Sequence, residues 1–198
     1  MKTARLTLAA IAGCVLCACQ MPATFSRQEV VRRAIYVQPA NSSSSPLFVW
    51  HGSGQPGPVR VTIDLSEQKA YIFRNSENVG WSYVATGTSN YRTPTGSFVI
   101  TEKVINKRSN KYGSIVDANG NVLRSNATAG VHSASGGRFL GAKMPYWMRL
   151  TDYGVGMHAG PIPNPGSPAS HGCIRLPYTM AQYLYEAAPS GTRVTIVP

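Results

Sequence analysis

Val59-Arg60-Val61-Thr62-Ile63-Asp64-Leu65-Ser66-Glu67-Gln68-Lys69-Ala70-Tyr71-Ile72-Phe73 is the stretch on which the fold reading turns. Val61, Ile63 and Leu65 alternate with Arg60, Thr62 and Asp64, so one face is apolar and the other polar, the two-residue period of a half-buried strand. Ser66-Glu67-Gln68 supplies a turn, and Ala70 to Phe73 returns as a second strand. Working outward, Asn75 to Asn78 turns into Val79 to Thr86, and Thr93-Pro94-Thr95-Gly96 feeds a strand over Ser97 to Thr101. Asn119-Gly120, between Ile115-Val116 and Val122-Leu123, signals a hairpin, because that dipeptide tolerates the left-handed turn a tight connection needs. Short strands are expected over Tyr146 to Leu150, Val155 to His158 and Thr192 to Val197. One helix is read from Ala181, Leu184, Tyr185 and Ala188 at helical spacing, opened by Pro177 and closed by Pro189-Ser190-Gly191. With 19 Gly and 14 Pro to make turns and no internal repeat, the pattern predicts a mostly β sandwich or barrel with one late α-helix.

A chain of 198 residues accommodates one folded domain with appendages. Met1-Lys2-Thr3-Ala4-Arg5 is a short basic region, followed by an apolar run from Leu6 to Ala18. That run is shorter than the ~20 residues of a mature membrane-spanning helix and has the layout of a secretory signal. It ends in Leu16-Cys17-Ala18-Cys19-Gln20, which resembles a bacterial lipoprotein processing site with Cys19 as the lipid attachment. Ile11-Ala12-Gly13-Cys14 is a second match, and ordinary signal cleavage is the alternative. Residues 1–18 are therefore read as a signal peptide and 19–58, rich in Pro, Ser and Gly, as a flexible tether. Residues 59–198 are read as the folded domain. The expected location is the periplasmic face of a bacterial envelope, as an outer-membrane lipoprotein anchored by its N-terminal lipid, or else free in the periplasm. The expected state is a monomer.

The formal net charge is +11, and without Lys2 and Arg5 the 17 remaining basic and 8 acidic residues leave +9. A basic surface suits a polyanionic partner, whether nucleic acid, anionic lipid or an acidic wall polymer. The ten Tyr and three Trp follow strand patterns rather than forming a stacking platform, so nucleic acid is not expected. Of the four Cys, three (Cys14, Cys17 and Cys19) fall in the processed segment. The folded part is left with one thiol, Cys173, in a compartment where an unpaired thiol is a liability.

Cys173 sits in Ser170-His171-Gly172-Cys173-Ile174-Arg175-Leu176-Pro177, downstream of Met157-His158-Ala159-Gly160 and a loop stiffened by Pro161, Pro163, Pro165 and Pro168. A free thiol, with its pKa of about 8.5, is a poor nucleophile near neutral pH, and an adjacent imidazole makes thiolate available. Gly172 lets the backbone turn closely enough for neighbouring N–H groups to face a developing oxyanion. Zinc held by His158, His171 and Cys173 is the competing reading; no fourth Cys, His or acid stands nearby in sequence, so neither metal nor cofactor is expected. His51 and His132 fit no motif and are expected at the surface.

His158 followed by Ser170-His171-Gly172-Cys173-Ile174-Arg175 resembles the signature of the L,D-transpeptidase catalytic domain, also called the YkuD domain. The similarity extends through Ile63-Asp64-Leu65, Thr93-Pro94-Thr95-Gly96-Ser97-Phe98, Met144 to Leu150 and Gly191-Thr192-Arg193-Val194, covering about residues 59–198. The resemblance implies an L,D-transpeptidase-type β-sandwich or barrel. It implies that Cys173 attacks a peptidoglycan stem tetrapeptide and expels D-Ala, with His158 as base and the carbonyl of Ala159 orienting it. By the same resemblance, the N–H groups of Gly172 and Cys173 form the oxyanion hole, and Ser170, His171 and Arg175 hold substrate or brace the loop. An amine acceptor then yields a 3-3 cross-link or an attached wall protein. Water as acceptor, giving an L,D-carboxypeptidase, and a non-catalytic wall-binding lipoprotein are the alternatives. The basic stretch from Val104 to Gly141 is not accounted for by the signature and reads as an insertion that could form a lid over substrate.

Overall fold

The structure, a computed structural model, describes residues 46–198. The expected signal peptide, the Cys19 and Cys14 attachment sites and the tether as far as residue 45 lie outside the described residues. In chain order the elements are β1 (Phe48–Trp50), β2 (Val59–Asp64), β3 (Lys69–Arg74), β4 (Glu77–Tyr83), β5 (Gly96–Val99) and β6 (Glu102–Val116). They continue with β7 (Val122–Thr128), β8 (Arg138–Arg149), β9 (Gly156–Ala159), β10 (Ile174–Leu176), α1 (Tyr178–Ala187) and β11 (Arg193–Val197). Over the described residues the fold is mostly β with one late helix, as the alternation predicts.

One sheet runs β1-β4-β3-β2-β11-β5. In β2 the residues Val59, Val61 and Ile63 are buried while Arg60 is exposed, so the pleat sends every second side chain into the core. β3 pairs antiparallel with β2, Val61 against Ile72, and β11 pairs parallel on its other side, Val61 against Val194 and Ile63 against Ile196. The first long strand and the last are thus neighbours, and the core closes around both. Each buried Val or Ile contributes roughly 1.5–3 kcal/mol by leaving water.

The domain begins earlier than residue 59. Phe48–Trp50 pairs with β4 at the sheet edge, and Trp50 is 3% exposed. Its ring stacks on Tyr183 of α1 with centroids 6.1 Å apart, and its Nε1 donates to Ser53 Oγ at 2.8 Å. The boundary placed at residue 58 is therefore corrected: a short aromatic strand lies between Ser- and Gly-rich neighbours whose composition reads as linker.

The second sheet runs β10-β9-β8-β6-β7. The stretch expected as an insertion is a long antiparallel ribbon. β6 and β8 pair from Glu102 and Arg149 to Val116 and Arg138, with a break in register between Arg108 and Gly113. The Asn119-Gly120 hairpin joins β6 to β7 as expected. The strand expected at Tyr146 to Leu150 is only the end of β8. Pro145 pairs with Asn106 of β6 and lies beyond the two pairs that join β8 to β9. α1 follows Pro177 and buries Met180, Ala181 and Leu184 against β8 and β9.

Candidate active site

β9 and β10 lie parallel, with Met157 beside Ile174, His158 beside Arg175 and Ala159 beside Leu176. The two-residue period sends Met157, Ala159, Ile174 and Leu176 into the core. His158 and Arg175 are left together on the opposite face. The β8 pairing of Met148 with Met157 brings Trp147 alongside His158, ring centroids 6.1 Å apart. Cys173 immediately precedes β10, two positions from Arg175, so its side chain emerges on that same face. Its Sγ stands 3.7 Å from the Gly154 carbonyl.

His158 is 6% exposed, and its Nδ1 lies 2.8 Å from the Ala159 carbonyl. A carbonyl only accepts, so in the neutral ring Nδ1 carries the proton and Nε2 keeps a free lone pair. Burial pulls the imidazole down from 6.5 to about 4; the Ala159 hydrogen bond opposes this and the Arg175 charge adds to it. Burial also pushes the Cys173 thiol up, against smaller opposing effects of the Gly156 N–H and Arg175. The expectation that a neighbouring imidazole depresses the thiol is thus corrected for the unliganded protein. At both groups desolvation exceeds the local attraction for charge, so burial favours the uncharged thiol and the uncharged imidazole.

The loop that carries Cys173 is tied from several sides. Gly172 has φ +107°, a conformation open to glycine and strained for other residues. Ser170 Oγ accepts the Gly172 N–H at 3.0 Å and donates to the Cys173 carbonyl. The Gly172 amide, expected as an oxyanion donor, is therefore already engaged, whereas the Cys173 amide has no partner among the described residues. Thr93 Oγ1 donates to the Gly172 carbonyl at 2.8 Å. The ring of His171 lies between two tyrosines, stacked on Tyr112 and edge-on to Tyr91, each centroid 4.5 Å away. Burial, and then the charge of Arg175, hold its pKa below 6.5. The stem of Arg175 packs on Gly160, where a Cβ would stand 3.0 Å from its Cγ and Cδ.

His158, Ser170, His171, Gly172, Cys173 and Arg175 all line one cavity of about 670 Å³. Lys107, Ser109, Lys111 and Tyr112 of β6 with Lys143 and Met144 of β8 form a wall, so the ribbon borders the site as a lid would. Arg92, Lys107, Lys111, Lys143, Arg149 and Arg175 oppose a single acid, Asp152, in that lining; Arg149 is ion-paired with Glu102. Among the described residues no three His, Cys, Asp or Glu stand together as a metal site. His51 is exposed, and His132 is half-buried, its Nδ1 accepting the Thr128 N–H at 2.9 Å; neither lines the cavity.

Sequence reasoning missed Tyr91, Tyr112 and Trp147 as parts of the site, because their aromatic rings follow ordinary strand and loop patterns. Thr93 was visible as the start of a turn within the family resemblance, not as a part of the site.

The model of the L,D-transpeptidase catalytic domain matches residues 58–196. The chain is 28% identical over 142 residues to a Bacillus licheniformis protein assigned the name YkuD among the L,D-transpeptidases, covering 71% of this chain and 67% of that protein. Among solved structures it resembles the L,D-transpeptidase LdtMt1 in complex with imipenem, at 25% identity and TM-score 0.52, over 70% of this chain and 58% of that one. It shares the fold of L,D-transpeptidases from Stackebrandtia nassauensis (21% identity, TM-score 0.52, 73% and 57% coverage) and Mycobacterium smegmatis (20%, 0.54, 71% and 59%). The chain spans less than three-fifths of each of these solved chains.

Proposed function

The chain belongs to the L,D-transpeptidase catalytic domain family, and we propose that it is a cysteine acyltransferase of the bacterial cell wall in which Cys173 is the nucleophile and His158 the base. The observation that carries this reading is the buried, neutral imidazole. The Ala159 carbonyl fixes its tautomer, and it shares one sheet face and one cavity with the only thiol of the described residues.

The substrate is the stem tetrapeptide of peptidoglycan. Nε2 of His158 takes the thiol proton as Sγ forms a bond to the carbonyl carbon before the terminal D-Ala. The carbonyl π pair moves onto oxygen, where the free Cys173 N–H meets it. When that pair returns, the C–N bond breaks, His158 passes its proton to the departing nitrogen, and D-Ala leaves. An amine acceptor then attacks the thioester; a new C–N bond forms, the C–S bond breaks, and the thiol is regenerated. The acceptor is the side-chain amine of a second stem or of a wall-attached protein. The cationic lining suits the carboxylates that stem peptides carry, with His171, Arg175 and Ser170 positioning substrate or bracing the loop. Export, lipidation at Cys19 and residence at the periplasmic face of the outer membrane complete the proposal, supported by Leu16 to Gln20 and by the basic, apolar start of the chain.

Incubating the pure protein with a tetrapeptide stem or a carbapenem tests it by mass spectrometry. The wild type gains the acyl mass, and Cys173→Ala gains none while melting at nearly the same temperature. An adduct on Cys173→Ala would overturn the assignment. The products distinguish the acceptor, a cross-linked dimer for an amine and a tripeptide for water.

A further inference from the structure

Thr93 is 5% exposed, and its hydroxyl is used twice. Oγ1 accepts the Gly87 N–H at 2.9 Å and stands 2.8 Å from the Gly172 carbonyl oxygen. Since that carbonyl cannot donate, the hydroxyl proton points at Gly172. The approach depends on Gly87, where a Cβ would stand 1.9 Å from the Tyr91 carbonyl oxygen and 2.9 Å from Gly172 Cα.

The consequence lies in the peptide plane. The Gly172–Cys173 bond is trans and planar, so its C=O and its N–H point in opposite directions. Thr93 lines a separate cavity of about 570 Å³ and not the one that contains Cys173. Gly172 and Cys173 line the catalytic cavity. Fastening the carbonyl toward Thr93 therefore points the Cys173 N–H the opposite way, and it has no partner among the described residues. Ser170 holds the Gly172 N–H and the Cys173 carbonyl and leaves this one amide free.

We propose that Thr93 is a positioning residue for acyl transfer, its hydroxyl aiming the Cys173 amide N–H at the oxygen that becomes negative in the tetrahedral intermediate. The role rests on the acyl-transfer reading above. As Sγ bonds to the carbonyl carbon, the displaced π pair resides on that oxygen, and the aimed N–H stabilises it until the C–N bond breaks.

Two reactions of the same sulfur separate aiming from mere support of the fold. Acylation by a tetrapeptide stem or imipenem develops an oxyanion, whereas iodoacetamide is attacked at a saturated carbon and expels iodide without one. In Thr93→Val, acylation turnover is expected to fall roughly 10–100-fold with KM little changed, because a misaimed oxyanion donor acts in the transition state. The iodoacetamide rate should stay within about 2-fold, since the thiol itself is untouched. Thr93→Ser, which keeps the hydroxyl, should acylate within about 3-fold of wild type. Thr93→Ala is measured alongside, so that a Val variant that fails to fold still leaves a hydroxyl-free protein, and a melting curve accompanies each. Equal slowing of both reactions, unchanged acylation without the hydroxyl, or a Ser variant as impaired as the hydroxyl-free one would overturn the role of Thr93. A wild-type protein that alkylates but never acylates would instead overturn the acyl-transfer reading, and this role with it.

Discussion

Titrating Cys173 by two reagents distinguishes how its thiol is activated. Burial holds His158 at about 4 instead of 6.5 and holds Cys173 above the ordinary thiol value. At pH 7 the imidazole is then neutral in all but about one molecule in a thousand, and the thiol is held predominantly protonated by the same desolvation. Alkylation by iodoacetamide, which depends on preformed thiolate, should therefore run far slower at pH 7 than at its alkaline limit, with no inflection near neutrality. Acylation should behave differently, because there the proton leaves for His158 Nε2 as the bond to carbon forms. Its rate should be flat through neutrality and fall only as the imidazole protonates near 4. In His158→Ala, acylation at neutral pH should drop roughly 10²–10⁴-fold and recover at high pH, where the thiol ionises unaided. Adduct mass against time at each pH, for imipenem and for iodoacetamide, supplies both profiles. An alkylation curve that inflects below pH 7 and stays on a plateau through neutrality would establish a resting thiolate–imidazolium pair and refute the reasoning.

The same burial makes His158 a determinant of acid stability. Below pH 6.5 the unfolded chain binds a proton that folded His158 refuses until about 4, so stability is complete above 6.5 and is lost as pH falls toward 4, by about 3 kcal/mol in all. Urea unfolding near pH 7 and pH 4.5 should show wild type losing about 2–3 kcal/mol more than His158→Gln; equal losses would refute the depressed imidazole. Trp50→Ala should cost roughly 3–5 kcal/mol in unfolding free energy, since it empties a site against Tyr183, whereas a value near zero would return residues 48–58 to the tether. Cys19→Ser should move the protein from the membrane fraction to the soluble periplasm with activity on isolated wall fragments intact; wild type found soluble, with its first residue downstream of Cys19, would replace the lipoprotein reading with plain secretion.

Sequence periodicity was enough for β2, β3, β11 and α1, because each buries one face and its alternation or helical spacing records that burial locally. The Asn119-Gly120 turn was legible for a similar reason, since a tight connection needs a particular residue pair wherever it occurs. Cys173 and His158 stood out by their residue types and spacing, and the Ala159 carbonyl beside His158 was expected from the family resemblance. The tertiary structure alone decided the rest. Trp50 is core only because α1 comes to meet it from more than a hundred positions away. β6 and β8 hardly alternate, because most of their length is half-buried or exposed and has no continuous buried face to record. The two tyrosines beside His171 and the hydroxyl that holds Gly172 reach their targets from elsewhere in the chain. The direction of the Cys173 shift was misjudged from sequence for the same physical reason. A titrating group responds to everything that excludes water from it, and at Cys173 that includes the backbone of Gly154 and Gly156, which the packed fold alone brings to it.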